Sequence, residues 1–232
     1  MGNTGNVTAV FLQARLDSSR LPRKAVLKIA GKMIIQHAME ALKEVDADVH
    51  VLLTDRESYP PLSEYAAACG FDTFAGPKDD VLARFVLAAD KYRAETIIRA
   101  TGDNPLVSPV LAKKICALHI LEQADYSGFL GIPLGTGVEV LNAESLREAY
   151  AHGDDPYERE HVSPYLYRRE ERFSILRPQA ETKYCFPEGR VTLDTQEDFR
   201  YLTSLYDELY QGEPIPTEKI VPWLKSHHPV MV

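Results

Sequence analysis

Short apolar runs alternate with longer helix-patterned stretches through the first half of the chain, and this alternation restricts the fold more than any other feature. Residues 7–12, 49–53, 71–74 and 96–100 are rich in β-branched and aromatic side chains and read as strands. Residues 33–44, 57–69, 79–93 and 108–122 carry apolar side chains at helical spacing. Pro60 and Pro61 fall in the first turn of the second helix, and Ser108 and Pro109 supply the cap and first position of the fourth. Strands and helices at this spacing imply βαβ units. The expected class is α/β, Rossmann-like, with a mainly parallel sheet flanked by helices.

The second half changes character. Residues 128–137 are rich in glycine and proline and read as a loop. Strands are expected at 138–141, 173–176 and 190–193. Helices are expected at 143–151, 157–170, 196–211 and about 217–225. No repeat or linker divides the sequence. We expect one domain over 1–232, with an excursion within 126–190 that covers the site or makes a dimer contact.

With 232 residues, 45% of them hydrophobic, the chain can bury one sizeable core. A net charge of −8 argues against general nucleic-acid binding, which calls for a basic face. No apolar run approaches the roughly 20 residues of a membrane span, and residues 1–6 carry no secretory or myristoylation signal. Cys69, Cys116 and Cys185 have neither metal-ligand nor redox spacing, so reduced thiols in a cytoplasmic protein are expected.

Against this acidic background, Arg15, Arg20, Arg23 and Lys24 gather in the loop after the first strand, in QARLDSSRLPRK. Ligands of open α/β sheets bind at the carboxyl ends of strands. Positive charge concentrated there fits a polyanion, most simply a nucleoside triphosphate. A solvated basic loop is the competing reading. It is weakened by the preceding strand and by small residues that let backbone N–H groups approach an anion. The loop is neither a Walker A nor a GxGxxG motif.

Asp103 follows a strand in TGDNP and can hold Mg²⁺ against a triphosphate; as a turn residue it needs no such role. Asp194 ends another expected strand, though a capping role at Asp194-Thr195-Gln196-Glu197-Asp198 accounts for it as well. The two can meet at one switch point of a parallel sheet. Asp80 opens a helix, where acidic residues favour the dipole. Glu139 could face sugar hydroxyls or simply water. His161 could meet a substrate carboxylate or be an ordinary surface histidine.

Together these segments resemble the cytidylyltransferase family, in its group of spore-coat polysaccharide biosynthesis proteins. Relatives act on 3-deoxy-octulosonate, neuraminate and pseudaminate. QARLDSSRLPRK resembles the family's [QP]-A-R-x-x-S-x-R-L-P-x-K. DDVLAR at 79–84, RATGDNPL at 99–106, REHVSPY at 159–165 and VTLDTQED at 191–198 resemble four further family segments, in order.

The resemblance implies a nucleotide-diphosphosugar-transferase (GT-A-like) fold, usually as a homodimer. It implies CTP and a sugar or sugar acid as substrates, with no nucleic acid or membrane partner. Mg²⁺ would be held by Asp103 and Asp194, and Arg15, Lys24 and Asp103 would be catalytic. Nucleotide contacts would come from Ala14, Arg15, Arg20, Lys24, Asp80, Arg84, Thr101 and Asn104. Glu139, Glu160 and His161 would meet the acceptor. One departure is Arg23, where the family often has glycine; arginine adds charge but gives up conformational freedom. Gln196 replaces a common proline.

The rival enzyme class is a glycosyltransferase using a nucleotide-sugar donor. The absence of a DxD at Asp103 or Asp194 counts against it. A nucleotide-binding homologue without catalysis is the third reading, and Arg23 is its best support.

Overall fold

A computed structural model describes residues 6–18 and 20–227; Ser19 of the basic loop and both chain ends lie outside the described residues. The strands are β1 Thr8–Gln13, β2 Lys28–Ile29, β3 Lys32–Met33, β4 Val49–Asp55, β5 Asp72–Gly76, β6 Thr96–Thr101, β7 Tyr126–Ser127, β8 Glu139–Asn142 and β9 Ile175–Leu176. The helices are α1 Ile34–Lys43, α2 Tyr59–Ala68, α3 Val81–Tyr92, α4 Pro109–Glu122, α5 Ala143–His152, α6 Pro156–His161, α7 Pro164–Tyr167, α8 Gln196–Leu209 and α9 Thr217–His227.

One sheet runs β5-β4-β1-β6-β8-β7-β9. β5, β4, β1 and β6 are parallel, as the alternation requires. β8 pairs antiparallel with β6 and with β7. β1 is central, and successive side chains face opposite sides. Ala9 and Phe11 enter a core under α3 and α5, whereas Val10 and Leu12 enter one under α1, α2 and α4. A third core, built on Val191, Leu193, α8 and α9, packs against Ile34 and Leu106. This is the expected Rossmann-like α/β architecture. The chain leaves β1 towards β4 on one side and later adds β6 on the other. Crevices at such a reversal lie beyond the strands' carboxyl ends.

Three expectations for the second half need correction. Residues 190–193 form no sheet strand: only an isolated bridge joins Leu134 to Arg190. Val191 N donates to Leu134 O, and Leu193 N donates to Asp103 O at 2.9 Å. The segment is extended, but its apolar side chains fill the third core and its backbone pairs with loops. Residues 157–170 are not one helix. The chain breaks between α6 and α7 at Val162, whose φ is 73°. Pro164, which lacks an N–H, then opens the next turn. Residues 173–176 supply only the two residues of β9. The hairpin of β2 and β3 is not legible as strand in the sequence, because two-residue strands carry no periodicity.

Candidate active site

The first site loop is anchored before it reaches the ligand side. Ala14 N donates to Leu53 O at 3.0 Å, so the chain leaves β1 still tied to β4. Leu16 N then donates to Ser58 Oγ at 3.0 Å. Ser58 is itself held by the buried Asp55, through its backbone N–H at 2.8 Å and its hydroxyl at 3.1 Å. Arg23 N donates back to Leu16 O at 3.1 Å and closes the loop. Arg23 sits in the left-handed region, at φ 57° and ψ 27°, just before a single 3-10 turn, Lys24–Val26. That conformation suits glycine and explains why glycine is common at this place in the resembled family.

The second loop meets the first at the end of β6. Gln13 and Thr101 are register partners, and Gly102 N donates to Gln13 O at 2.8 Å. A Cβ on Gly102 would stand 2.8 Å from Ala14 Cβ, so glycine is what lets the two loops touch. Asp103 is thereby carried to the basic loop.

Asp194 arrives from the other side, on the extended segment before α8. Asp198 Oδ2 accepts from Asp194 N and Thr195 N, and Thr195 caps the helix reciprocally. The expected capping box is real, but it is built on Thr195 and leaves the Asp194 carboxylate for the site.

Lys24 joins these pieces. Its Nζ lies 2.7 Å from Asp103 Oδ2, 2.8 Å from Asp194 Oδ1 and 2.8 Å from Leu193 O. Asp194 also meets Arg20 at 3.1 Å and Arg190 at 2.6 Å. Burial works against the Asp194 charge, but the hydrogen bond and charge of Lys24, then Arg20 and Arg190, outweigh it and hold the carboxyl below its ordinary range. The two aspartates therefore converge on one cationic point. Among the described residues no group of three or more His, Cys, Asp and Glu could hold a metal. Two carboxylates still suit Mg²⁺, which takes its remaining oxygens from phosphates and water. The donor set fits that ion.

A cavity of about 450 Å³ surrounds this cluster, and Ala14, Arg15, Arg20, Thr101, Glu160 and His161 are in its wall. A second, of about 430 Å³, shares Ala14, Arg15, Glu160 and His161 and extends to Lys78, Asp79 and Arg84. Arg84 is buried and donates to Pro77 O at 2.9 and 2.5 Å and to Lys78 O at 2.9 Å. It shapes the loop before α3. Asp80 is the N-cap of α3, accepting from Ala83 N at 2.9 Å. Its other oxygen pairs with Arg159 at 3.1 Å, which ties α3 to α6 and so positions Glu160 and His161. Asp79, not Asp80, is in the cavity wall.

A third cavity, of about 490 Å³, lies beyond β6 and includes Thr101, Asn104, Glu139, Tyr126 and Arg177. Asn104 Nδ2 donates to Thr101 Oγ1 at 2.8 Å. Asn104 is thus on the side away from the basic loop, while Thr101 borders both. Arg177 lies over the rings of Tyr126 and Tyr167, at 5.5 and 5.1 Å. Glu139 is fully engaged: it pairs with Arg99, accepts from Ser163 Oγ at 2.6 Å and from Tyr126 OH at 3.1 Å.

Sequence reasoning does not single out Arg99, although it stands in RATGDNPL. Among the described residues it is the one common to the walls of these three cavities. A signal for it exists: an arginine inside a central apolar strand is a mostly buried charge, and such charges need partners. The partner, Glu139, is fixed by a strained turn. Val162 is buried at φ 73° and ψ −60°, and Ser163 N donates to His161 O at 2.9 Å, an i to i+2 bond. A β-branched residue rarely adopts this geometry. Here it turns His161 towards the cavities and Ser163 back to Glu139.

A doubly wound α/β sheet with cations and paired carboxylates at its switch point defines a protein that handles phosphorylated nucleotides. Comparison with known proteins narrows the class. Residues 9–219 match the Cytidylyltransferase family. The uncharacterized protein MJ1063 of Methanocaldococcus jannaschii is 34% identical, over 86% of this chain and 81% of its own. The spore coat polysaccharide biosynthesis protein SpsF of Bacillus subtilis is 29% identical, over 94% of this chain and 93% of its own. A solved cytidylyltransferase from Leptospira borgpetersenii superposes with a TM-score of 0.88, at 25% identity, covering 96% of this chain and 95% of that one. This chain belongs to the cytidylyltransferase family.

Proposed function

We propose that the protein transfers CMP from CTP to a sugar acid, with release of pyrophosphate, in the synthesis of a surface polysaccharide. The observation that carries this reading is the convergence of Asp103, Asp194 and Lys24 where the basic loop meets the end of β6. Family membership supplies the nucleotide, and the third cavity supports the acceptor class. Arg99 and Arg177 bring positive charge to a space that also has hydroxyl and amide partners, as an acidic sugar requires.

The exposed Arg15 and Arg20 bind the β- and γ-phosphates, and Arg84 holds the neighbouring loop in shape. Mg²⁺, held by Asp103 and Asp194, would neutralise phosphate charge and align the triphosphate. Arg99 stands where the nucleotide and acceptor spaces join. A bond forms there between the acceptor hydroxyl oxygen and the α-phosphorus, and the hydroxyl proton leaves to solvent. The bond to the β-phosphate oxygen breaks, and pyrophosphate leaves with the electron pair. Lys24 and Arg15 stabilise the negative charge that grows on the phosphoryl oxygens. The protein chiefly orients and neutralises, as in phosphoryl transfer generally. Glu139 acts by holding Arg99, and Glu160 and His161 act from the walls of the two cavities on the basic-loop side, where the acceptor approaches the triphosphate. The same reading makes the chain a single-domain cytoplasmic homodimer, with residues 126–190 serving the acceptor and the dimer. Among the described residues no helix is long and apolar enough to cross a membrane.

The test is pyrophosphate release from CTP with Mg²⁺ across a panel of sugar acids, in the native protein and in Asp103→Ala. The variant is expected to keep the native circular dichroism and thermal transition while turnover is abolished. Near-native turnover in the variant would reject the assignment of Asp103. Larger thermal stabilisation by UTP, GTP or ATP than by CTP would reject the choice of base.

A further inference from the structure

We propose that Lys24 keeps the cation place between Asp103 and Asp194 until a triphosphate draws it away, so that the divalent ion binds together with the nucleotide and not before it. The inference rests on the nucleotidyl-transfer reading and adds an order of binding to it. An ammonium has three N–H donors. At Lys24 each has an acceptor within 2.8 Å: one oxygen from each aspartate and the Leu193 carbonyl.

The place is built by backbone as well as by charge. Lys24 stands on the 3-10 turn, where its N–H donates to Leu21 O and its carbonyl accepts from Leu27 N. Leu193 N donates to Asp103 O, so the two carboxylate-bearing segments are tied directly to each other. Lys24 is also largely withdrawn from solvent, its side chain 15% exposed.

Mg²⁺ needs its oxygen ligands at about 2.0–2.1 Å. It cannot take the same two carboxylate oxygens while an ammonium nitrogen sits 2.7–2.8 Å from both. Nor does the free site lack positive charge. Lys24 faces both carboxylates, and Arg20 and Arg190 face that of Asp194. A bare ion must therefore break three bonds and strand an ammonium among arginines. A triphosphate changes the exchange: its oxygens take Lys24 and Arg20, and others complete the coordination of the ion. Lys24 moves from carboxylate to phosphate as the ion enters.

The experiment uses Mn²⁺ as the probe, on the full chain without nucleotide, with free Mn²⁺ read by electron paramagnetic resonance. Lys24→Met is expected to bind Mn²⁺ at least about tenfold more tightly than the native protein, equivalent to about 1.4 kcal/mol. Adding Asp194→Asn to that variant should remove the gain and so locate the ion. Equal or weaker Mn²⁺ binding in Lys24→Met overturns the proposal. If that variant does not fold, the native protein decides by reductive methylation read by peptide mass spectrometry. Lys24 should stay protected relative to the exposed Lys28, with or without Mg²⁺ alone. Methylation of Lys24 on adding Mg²⁺ alone overturns the proposal. These measurements use no nucleotide, so a failed pyrophosphate assay does not alter what they show about Lys24, and the reverse also holds.

Discussion

Replacing Arg23 by glycine should stabilise the folded chain, although it removes a charged residue from the edge of the site. Arg23 is held at φ 57° and ψ 27° because its N–H closes the basic loop on Leu16 O and its carbonyl accepts from Val26 N at 3.0 Å. Both bonds are made by backbone and survive the substitution. The side chain is exposed, so little packing is lost. A residue with a Cβ in this region carries about 1–2 kcal/mol of steric cost. Glycine gives back about 0.4–1 kcal/mol through the greater freedom of the unfolded chain. The difference is a net gain of about 0.8 kcal/mol, worth about 2 °C in Tm for a domain of this length. Arg23→Ala is the control: it loses the same side chain but keeps the Cβ, and should stay within about 0.5 kcal/mol of native. Urea denaturation of the three proteins, with equal slopes, gives the comparison. If Arg23→Gly is no more stable than Arg23→Ala, the backbone is not held left-handed there, and strain does not explain the family's preference for glycine.

Other outcomes follow from the same contacts. Glu139→Ala takes the counter-charge from Arg99 and the acceptor from Ser163 and Tyr126; because the pair is partly exposed, a loss of about 2 kcal/mol is expected. A loss below about 0.5 kcal/mol on denaturation would contradict the role given to Glu139. His119 is buried beside Ser127 Oγ at 2.8 Å, and burial pushes its pKa down to about 4. The unfolded chain takes up that proton near pH 6.5 and the folded chain does not. Stability should therefore fall as pH drops from 6.5 to about 4, by up to about 3 kcal/mol from this residue. His119→Gln should flatten that part of the profile, and an unchanged acid slope would refute the assignment.

The parallel half of the sheet was legible because its periodicities are local. A run of about six apolar, β-branched and aromatic residues, buried on both faces, or three helical turns with one apolar face, declares itself in any window of that length. The basic loop was legible for a similar reason: four cations within ten residues of an acidic chain stand out as a cluster. Asp103 and Asp194 could be named one at a time from their places after apolar runs, but each also had a sufficient explanation as a turn or cap residue. Residues 190–193 looked like a strand because extended backbone with alternating burial has one signature, whether its N–H groups meet a sheet or a loop.

What the sequence alone determined was the α/β class, the alternation of the four parallel strands with helices in the first half, the charge placed after β1 and, through ordered motifs, the family. Only the tertiary structure decided that Asp103 and Asp194, 91 residues apart in the chain, share one ammonium. It also decided that Glu139 is committed to Arg99, that Asp80 serves α6 through Arg159, and that Arg99 stands in the walls of all three cavities. The physical reason is range. Burial and helix periodicity act between near neighbours and leave a pattern in the string. The partner that satisfies a half-buried charge is chosen by whichever loop the packed sheet brings within hydrogen-bond distance, and no local pattern records that choice.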